Sequence, residues 1–416
     1  MSTDQREPGA LRLYLRELRS VLRGNVGVIA ISWFLFSISG SIVNPFFAKY
    51  AKDLGASDVD VALLRSLGMM ALALSLIPGG ILTDYIGRAK TIIIGTACVT
   101  FSQFLYAAAP DWRFLAGVYV FDMAAHFYQP ALTAIIMDSL PRGAELKGFV
   151  ALQIVSSTPG LFMPIIGGYL YDAIGVLGIR YGFLAQGFVA LAVLIMRIKA
   201  LQETYKPVSR DLSKYVFELS GYRPVLLKAF KFYVYTAFLW PIAASVLSTY
   251  GTIYAIEVIG LSKLEWGIVS CASTAGSIIV MLTLLGRRVE PERALVRAVA
   301  IASTSIVVFP IPYFTSCCRL LVLVAASVAL SASSGVAMSA ISATLTAILP
   351  PEIRGRATGI QRTLEQLGGA LSSIIAAALY LGLGPGWSIV ASGLVGFLGA
   401  AYVHRFIVGR APLRAK

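Results

Sequence analysis

Charge is what this sequence has least of. Asp, Glu, Lys and Arg make up only 13% of its 416 residues, against roughly 25% in an ordinary soluble domain. So few charges cannot clothe a water-soluble protein of this length, and that class is excluded. Histidine is nearly missing: His126 and His404 are the pair present. No H-E-x-x-H or comparable ligand spacing occurs, so neither a metal site nor a catalytic cluster of that kind is expected. The phosphate-cradling G-x-x-x-x-G-K-[ST] loop is missing as well, which argues against ATP as an energy source. The four cysteines fall inside apolar runs (Cys98, Cys271) or side by side (Cys317, Cys318). They are read as free thiols serving as small apolar side chains. No cofactor and no catalytic residue is expected. A cleavable signal peptide is also not expected, because the first apolar run starts near Asn25 and is too long for one.

What the chain does have is long apolar runs. Hydrophobic residues are 57% of the total, gathered in stretches of about 20 residues or more, the length that crosses roughly 30 Å of hydrocarbon. Inside lipid the backbone must satisfy its own hydrogen bonds, so such runs are helices. Twelve are placed, at 26–50, 58–83, 90–110, 112–138, 147–172, 179–200, 229–256, 264–286, 294–315, 319–349, 355–381 and 385–407. The polar stretch between the sixth and seventh splits them. The predicted fold is an all-α membrane protein of twelve transmembrane helices in two pseudo-symmetric six-helix bundles. Its predicted parts are a segment 1–25, a bundle 26–200, a linker 201–228, a bundle 229–407 and a tail 408–416.

The formal net charge is +14, but the basic residues sit in the gaps between apolar runs, so nucleic acid is not the expected partner. Membrane lipid is. In the first segment Arg12, Arg16, Arg19 and Arg23 share one helical face, the pattern of a basic amphipathic helix lying on a membrane surface. Of the 35 Lys and Arg residues, one face of the predicted bundle keeps only Lys49, Lys52, Arg65, Arg113, Arg180, Lys263 and Arg319. The positive-inside rule then puts both termini in the cytoplasm. The two halves also echo each other: the fourth and tenth runs are each followed by a short Pro/Gly/Arg loop, at 140–148 and 349–359. Duplicated halves are typical of secondary transporters.

Between the second and third runs lies Gly79-Gly80-Ile81-Leu82-Thr83-Asp84-Tyr85-Ile86-Gly87-Arg88-Ala89-Lys90. Gly80 suits close helix approach. Gly87 suits a turn with positive φ. Asp84 can complement the N-terminus of a facing helix, and Arg88 can pair with Asp138 at the end of the fourth run. With Gly80, Leu82, Asp84, Gly87 and Arg88 in these places, and Ala89 where a basic residue is usual before Lys90, the loop resembles that of the major facilitator superfamily. The resemblance covers nearly the whole chain. It implies that Asp84 faces the start of the eleventh helix, near Arg354 or Arg356, and that the charges latch the two halves together. In the second half, the counterpart at 286–293 keeps Gly and basic residues but has no Asp. Two further motifs resemble the family's: Arg113-x-Leu-x-Gly117, also readable as an interfacial arginine, and Pro164-x-x-Gly167-Gly168, which partly matches a pattern of its antiporters.

Ionisable groups inside spans are costly and mark candidate sites. Tyr119, Asp122, His126 and Gln129 recur at spacings of three, four and three, which places them on one helical face. The resemblance implies that spans 1, 4, 7 and 10 line a central cavity, so this stripe is the leading expected substrate or proton site. Asp122 would take up a proton, with His126 sharing it; an Asp–His pair that merely holds span 4 to a neighbour is the alternative. Asn44, Tyr235, Trp240 and Tyr250 are the other expected cavity residues. Arg362 and Glu365 are expected to neutralise each other or to join the gate. The function implied is a monomeric secondary carrier in the plasma membrane. It would exchange a small organic solute for protons, most readily as an exporter, with coupled uptake of a metabolite as the alternative. A membrane enzyme or a static receptor is less in keeping with the residues.

Overall fold

A computed structural model describes residues 23–140, 145–204, 223–285, 290–315, 318–348 and 351–408. The side chains of Asp84, Arg354 and Arg356 lie outside the description. So do the expected N-terminal amphipathic helix, the middle of the linker, the tail, Cys317, and residues 141–144 and 286–289 of the loops. Among the described residues the structure is entirely helical.

Twelve helices follow the twelve runs. In the first half they are α1 (Gly24–Asp53), α2 (Asp58–Ile86), α3 (Arg88–Ala108), α4 (112–139), α5 (145–174) and α6 (Val176–Ala200). In the second they are α7 (223–258), α8 (Lys263–Leu285), α9 (Pro291–Val308), α10 (Arg319–Ile348), α11 (Pro351–Leu383) and α12 (Pro385–Tyr402). Ten are long and apolar enough to cross a membrane over their described residues. The other two are α4, whose polar residues lower its hydropathy, and α8, which reads apolar from Trp266 onward. Large apolar side chains such as Leu74, Leu321 and Leu398 are 66–68% exposed. In water that belt would be an aggregation hazard; in lipid it is the solvent-facing surface.

The helix ends follow from local chemistry. Ser57 and Asp60 form a reciprocal capping box at the start of α2, satisfying donors that a helix start leaves free. Gly87, at φ 95°, breaks the chain between α2 and α3 in a conformation that a side chain would strain. Helix α4 bends where Pro130 follows His126–Tyr128, a single 3₁₀ turn. The proline ring crowds the carbonyl four residues back and offers no N–H.

Small residues set the helix spacings. A Cβ added at Gly79 would collide with the Phe127 carbonyl, one added at Gly167 with the Ile42 carbonyl, and one at Gly168 with the Lys263 carbonyl. Gly368 meets the Ala237 carbonyl in the same way. These are close backbone approaches of α2 to α4, α5 to α1 and α8, and α11 to α7. The expected close-packing glycine, Gly80, has open space beside it; its neighbour Gly79 makes the contact. Gly117 likewise touches nothing at its Cα face. Two seams join the halves, α2 along α11 and α5 along α8.

Candidate functional site

On the side of the bundle that carries Gly55 and Gly260, the halves are tied by charge. Lys49 of α1 bonds Asp53 on its own helix and reaches Glu257 of α7 at 3.0 Å. Lys52 reaches Asp58 at 2.7 Å and Glu257 at 3.8 Å. Asp172, at the end of α5, accepts the Lys263 and Leu264 backbone N–H groups at 3.2 and 2.8 Å, so a carboxylate from one half caps the first turn of α8 in the other. The Pro45 carbonyl accepts the Thr252 hydroxyl (2.9 Å) and the Trp266 indole N–H (3.0 Å). Tyr250 donates to the Asp58 carbonyl at 2.7 Å and stacks on Tyr380 at 4.3 Å. This face is closed.

On the opposite face, Arg88 pairs with Asp138. It also donates to the Ala134 carbonyl and to the Thr204 hydroxyl. Glu203, just after α6, accepts the backbone N–H groups of Arg88 and Ala89 at 3.1 and 3.0 Å. These partners all belong to the first half. The Arg88–Asp138 pair therefore braces α3, α4 and the end of α6 within one bundle and does not cross between halves. Lys90 is exposed beside it. The side chain of the remaining loop residue of the expected latch, Asp84, lies outside the description.

Between the halves, behind the closed face, is a cavity of about 240 Å³. Arg65 and Met69 of α2 form one wall. Tyr235, Thr236 and Trp240 of α7, Met338 of α10, and Glu365 and Gln366 of α11 form the others. A wide π-type turn over Tyr235–Leu239 re-aims the α7 side chains here; such turns are frequent at functional sites. Glu365 accepts a hydrogen bond from the Gln361 amide at 2.8 Å. Its expected neutraliser, Arg362, is exposed and forms no ion pair with it.

Arg65 corrects the sequence expectation most sharply. The expectation groups it with the basic residues of one face of the bundle, yet it falls within the second run, and α2 begins at Asp58. At 1.5 Å per residue that puts Arg65 about 10 Å into the helix. Its Nε is buried without a hydrogen-bond partner. The Tyr235 hydroxyl is buried and unpartnered too.

The span 4 stripe does not form one site. The Asp122 carboxylate is buried and turned toward α3, where the Ser102 hydroxyl (2.5 Å) and the Gln103 amide (3.4 Å) donate to it. His126 Nδ1 hydrogen-bonds the Asp122 backbone carbonyl at 2.7 Å, not the carboxylate. Tyr119 packs on Gly68 and on Phe47, ring centroids 5.0 Å apart. Gln129 lies beyond the bend. The cavity is bounded by none of these four. Asn44 is exposed at the α1 turn, and Tyr250 belongs to the closed face. Tyr235 and Trp240 do line the cavity. Arg113 is exposed and lies over Trp112 at 5.6 Å, an interfacial arrangement. Pro164 starts the stretch of α5 that carries Gly167 and Gly168, and its own carbonyl is packed against Gly267 of α8.

Sequence reasoning missed one fully buried charge. Arg197 of α6 is 1% exposed. It donates to Ser32 of α1 (3.1 Å) and Thr96 of α3 (2.6 Å) and lies over the rings of Phe36 and Tyr128. It ties four helices of the first bundle.

Two six-helix bundles around a central cavity, closed on one side, are the architecture of a membrane carrier. The family model described as Major Facilitator Superfamily matches residues 29–318, and the chain belongs to that superfamily of transporters. It is 25% identical over 256 residues to the quinolone resistance protein NorA of Staphylococcus aureus, covering 60% of this chain and 63% of that one. It is 26% identical over 249 residues to the multi-drug resistance efflux pump PmrA of Streptococcus pneumoniae, with 57% and 59% covered. The matched region thus spans about three fifths of these relatives. A D-xylose-proton symporter shares the fold, with a TM-score of 0.69 at 14% identity over 95% of this chain and 98% of that one.

Proposed function

We propose that this protein is a proton-coupled exporter of a small organic molecule, working as a monomer in the plasma membrane with the Gly87 face in the cytoplasm. The observation that carries the reading is the cavity itself. It draws walls from both halves and is shut from the Gly55 face by groups that are bonded but not fused. A carrier needs such a seam, able to break when the Gly87 face closes. The relation to two efflux proteins favours export, and the tight α5–α8 packing at Gly168 suits a carrier whose outer side must seal.

Glu365 is the proposed coupling carboxylate, because it is an acid facing the cavity. Protonation would neutralise it and release bound solute. Asp122, enclosed by α3, is proposed to hold the first bundle together, and Asp84 to close the Gly87 face against α11.

The test is whole-cell accumulation of a fluorescent lipophilic cation, with and without a protonophore. Native protein is expected to exclude the dye until the gradient collapses, and Glu365→Gln to lose exclusion at normal expression. Protonophore-insensitive accumulation by native cells would overturn the reading. Gradient-driven uptake above the vector control would turn it into import.

A further inference from the structure

Arg65 poses a problem that transport of a cation does not solve. A guanidinium is charged at every accessible pH, and its planar fork suits a planar oxyanion. Carrying it into a span is costly unless something receives it. Among the described residues it forms no ion pair, and its Nε has no partner. It faces the cavity, where the Tyr235 hydroxyl also stands unpartnered. Two buried hydrogen-bonding groups without partners, one of them cationic, therefore belong to residues that line the same space. Across that space, on the other half of the protein, Glu365 presents a carboxylate that accepts from the neutral Gln361 amide at 2.8 Å and, among the described residues, forms no ion pair. Opposite charges on opposite bundles, each unclaimed by the other, are complementary to a molecule that carries both.

The rest of the lining limits that molecule. A volume of about 240 Å³ is below the ~300–1,000 Å³ usual for drug-sized ligands, so it is small. Trp240 and Tyr235 offer aromatic surface, and Met69 and Met338 offer soft, adaptable surface.

We propose that the cavity recognises a small amphoteric aromatic molecule. Its carboxylate is received by Arg65 and the Tyr235 hydroxyl, and its protonated amine by Glu365. Bound this way, the ligand bridges the two bundles. The proposal rests on the carrier reading above and names the substrate class for the same cavity.

Three one-ring probes test it: 4-(aminomethyl)benzoic acid, its methyl ester, which lacks the anion, and 4-methylbenzoic acid, which lacks the cation. Binding is measured by calorimetry on the full chain in lipid nanodiscs. The native protein is expected to bind the amphoteric acid at least tenfold more tightly than either analogue. Arg65→Gln should erase its advantage over the ester. Glu365→Gln should erase its advantage over 4-methylbenzoic acid. Arg65→Lys, which keeps the charge and loses the fork, should fall between. Equal native affinities for acid and ester, no binding of any probe by native protein, or an acid-to-ester ratio untouched by Arg65→Gln would each overturn the proposal. The native comparison needs no variant to fold. Dye export with no amphoteric preference would sink the substrate class and leave the carrier standing. Amphoteric preference without flux of 4-(aminomethyl)benzoic acid in proteoliposomes would do the reverse.

Discussion

Glu257 of α7 stands between two lysines of α1, 3.0 Å from Lys49 and 3.8 Å from Lys52. Among the described residues it is the second half's acid in the ion pairs across the closed face, beside the Lys263–Asp172 pair at 3.4 Å. The pairs are partly exposed, and single surface pairs are worth only about 0–1 kcal/mol. Here one carboxylate serves two cations, so Glu257→Gln removes both links. The variant should shift the balance toward opening at the Gly55 face by roughly fivefold, about 1 kcal/mol. A cysteine placed at Ala56 and labelled with a membrane-impermeant maleimide reads the change. Unaltered labelling, with Lys49→Gln also silent, would mean the charges are ornament on a seam held by Tyr250, Thr252 and Trp266.

Gly168 makes a sharper prediction, because it concerns volume and not charge. Its Cα lies against the Lys263 carbonyl with no room for a methyl group. Gly168→Leu has to push α5 and α8 apart where Asp172 caps α8. The protein should still insert and purify, since the first bundle's own packing at Gly167 is untouched. Export should drop by more than tenfold, and the labelling at Ala56 should rise. Wild-type export by Gly168→Leu would show that the seam need not close for transport.

Much of this was legible in the sequence, for a reason that holds residue by residue. Run length reports the thickness of the hydrocarbon, so the twelve helices could be counted without knowing any contact. Gly87 was legible because a tight turn between two long helices needs positive φ, and it has it. Direction was harder. Tyr119, Asp122, His126 and Gln129 share a face of an unbroken helix, but Pro130 bends α4 inside the stripe. Spacing also does not say which neighbour a face meets. Arg65 was misjudged by charge and not by boundary: the second run already starts at 58, where the Ser57-x-x-Asp60 capping box opens α2, and counting seven residues on from Asp58 separates Arg65 from the basic residues of the outer loops. Glu203 and Glu257 were invisible as partners, because their mates lie 115 and 208 positions away along the chain and only folding brings them together.

Asp122 separates a coupling role from a bracing one. Its carboxylate accepts from Ser102 and Gln103. An amide in its place keeps the shape and retains one acceptor oxygen for those donors. Asp122→Asn should therefore keep export within about threefold, whereas Asp122→Leu removes the acceptor shared by both donors, leaves them their bonds to the Val99 carbonyl, costs about 0.5–1.5 kcal/mol per lost hydrogen bond and should lower the melting temperature of purified protein. Loss of proton dependence in a stable Asp122→Asn protein would return the coupling role to α4.

Arg197 gives the last prediction. Buried at 1% exposure, it hydrogen-bonds Ser32 and Thr96 and lies over two aromatic rings. Removing it has two opposing effects. A costly buried charge disappears, which favours the fold. Two hydroxyls and two ring faces lose the group that joins α1, α3, α4 and α6, which opposes it. The hydroxyls also back-bond their own helices, Ser32 to Val28 and Thr96 to Ile92, so neither is stranded when the guanidinium goes. Arg197→Met, which keeps most of the length, should then be tolerated, with a change in unfolding free energy within about 2 kcal/mol. Arg197→Ala leaves a cavity among four helices and should cost more, about 2–5 kcal/mol by analogy with large-to-small core changes. Denaturant titration of both variants in nanodiscs decides the matter. If methionine is as damaging as alanine, the charge itself holds the bundle, and the volume it fills does not.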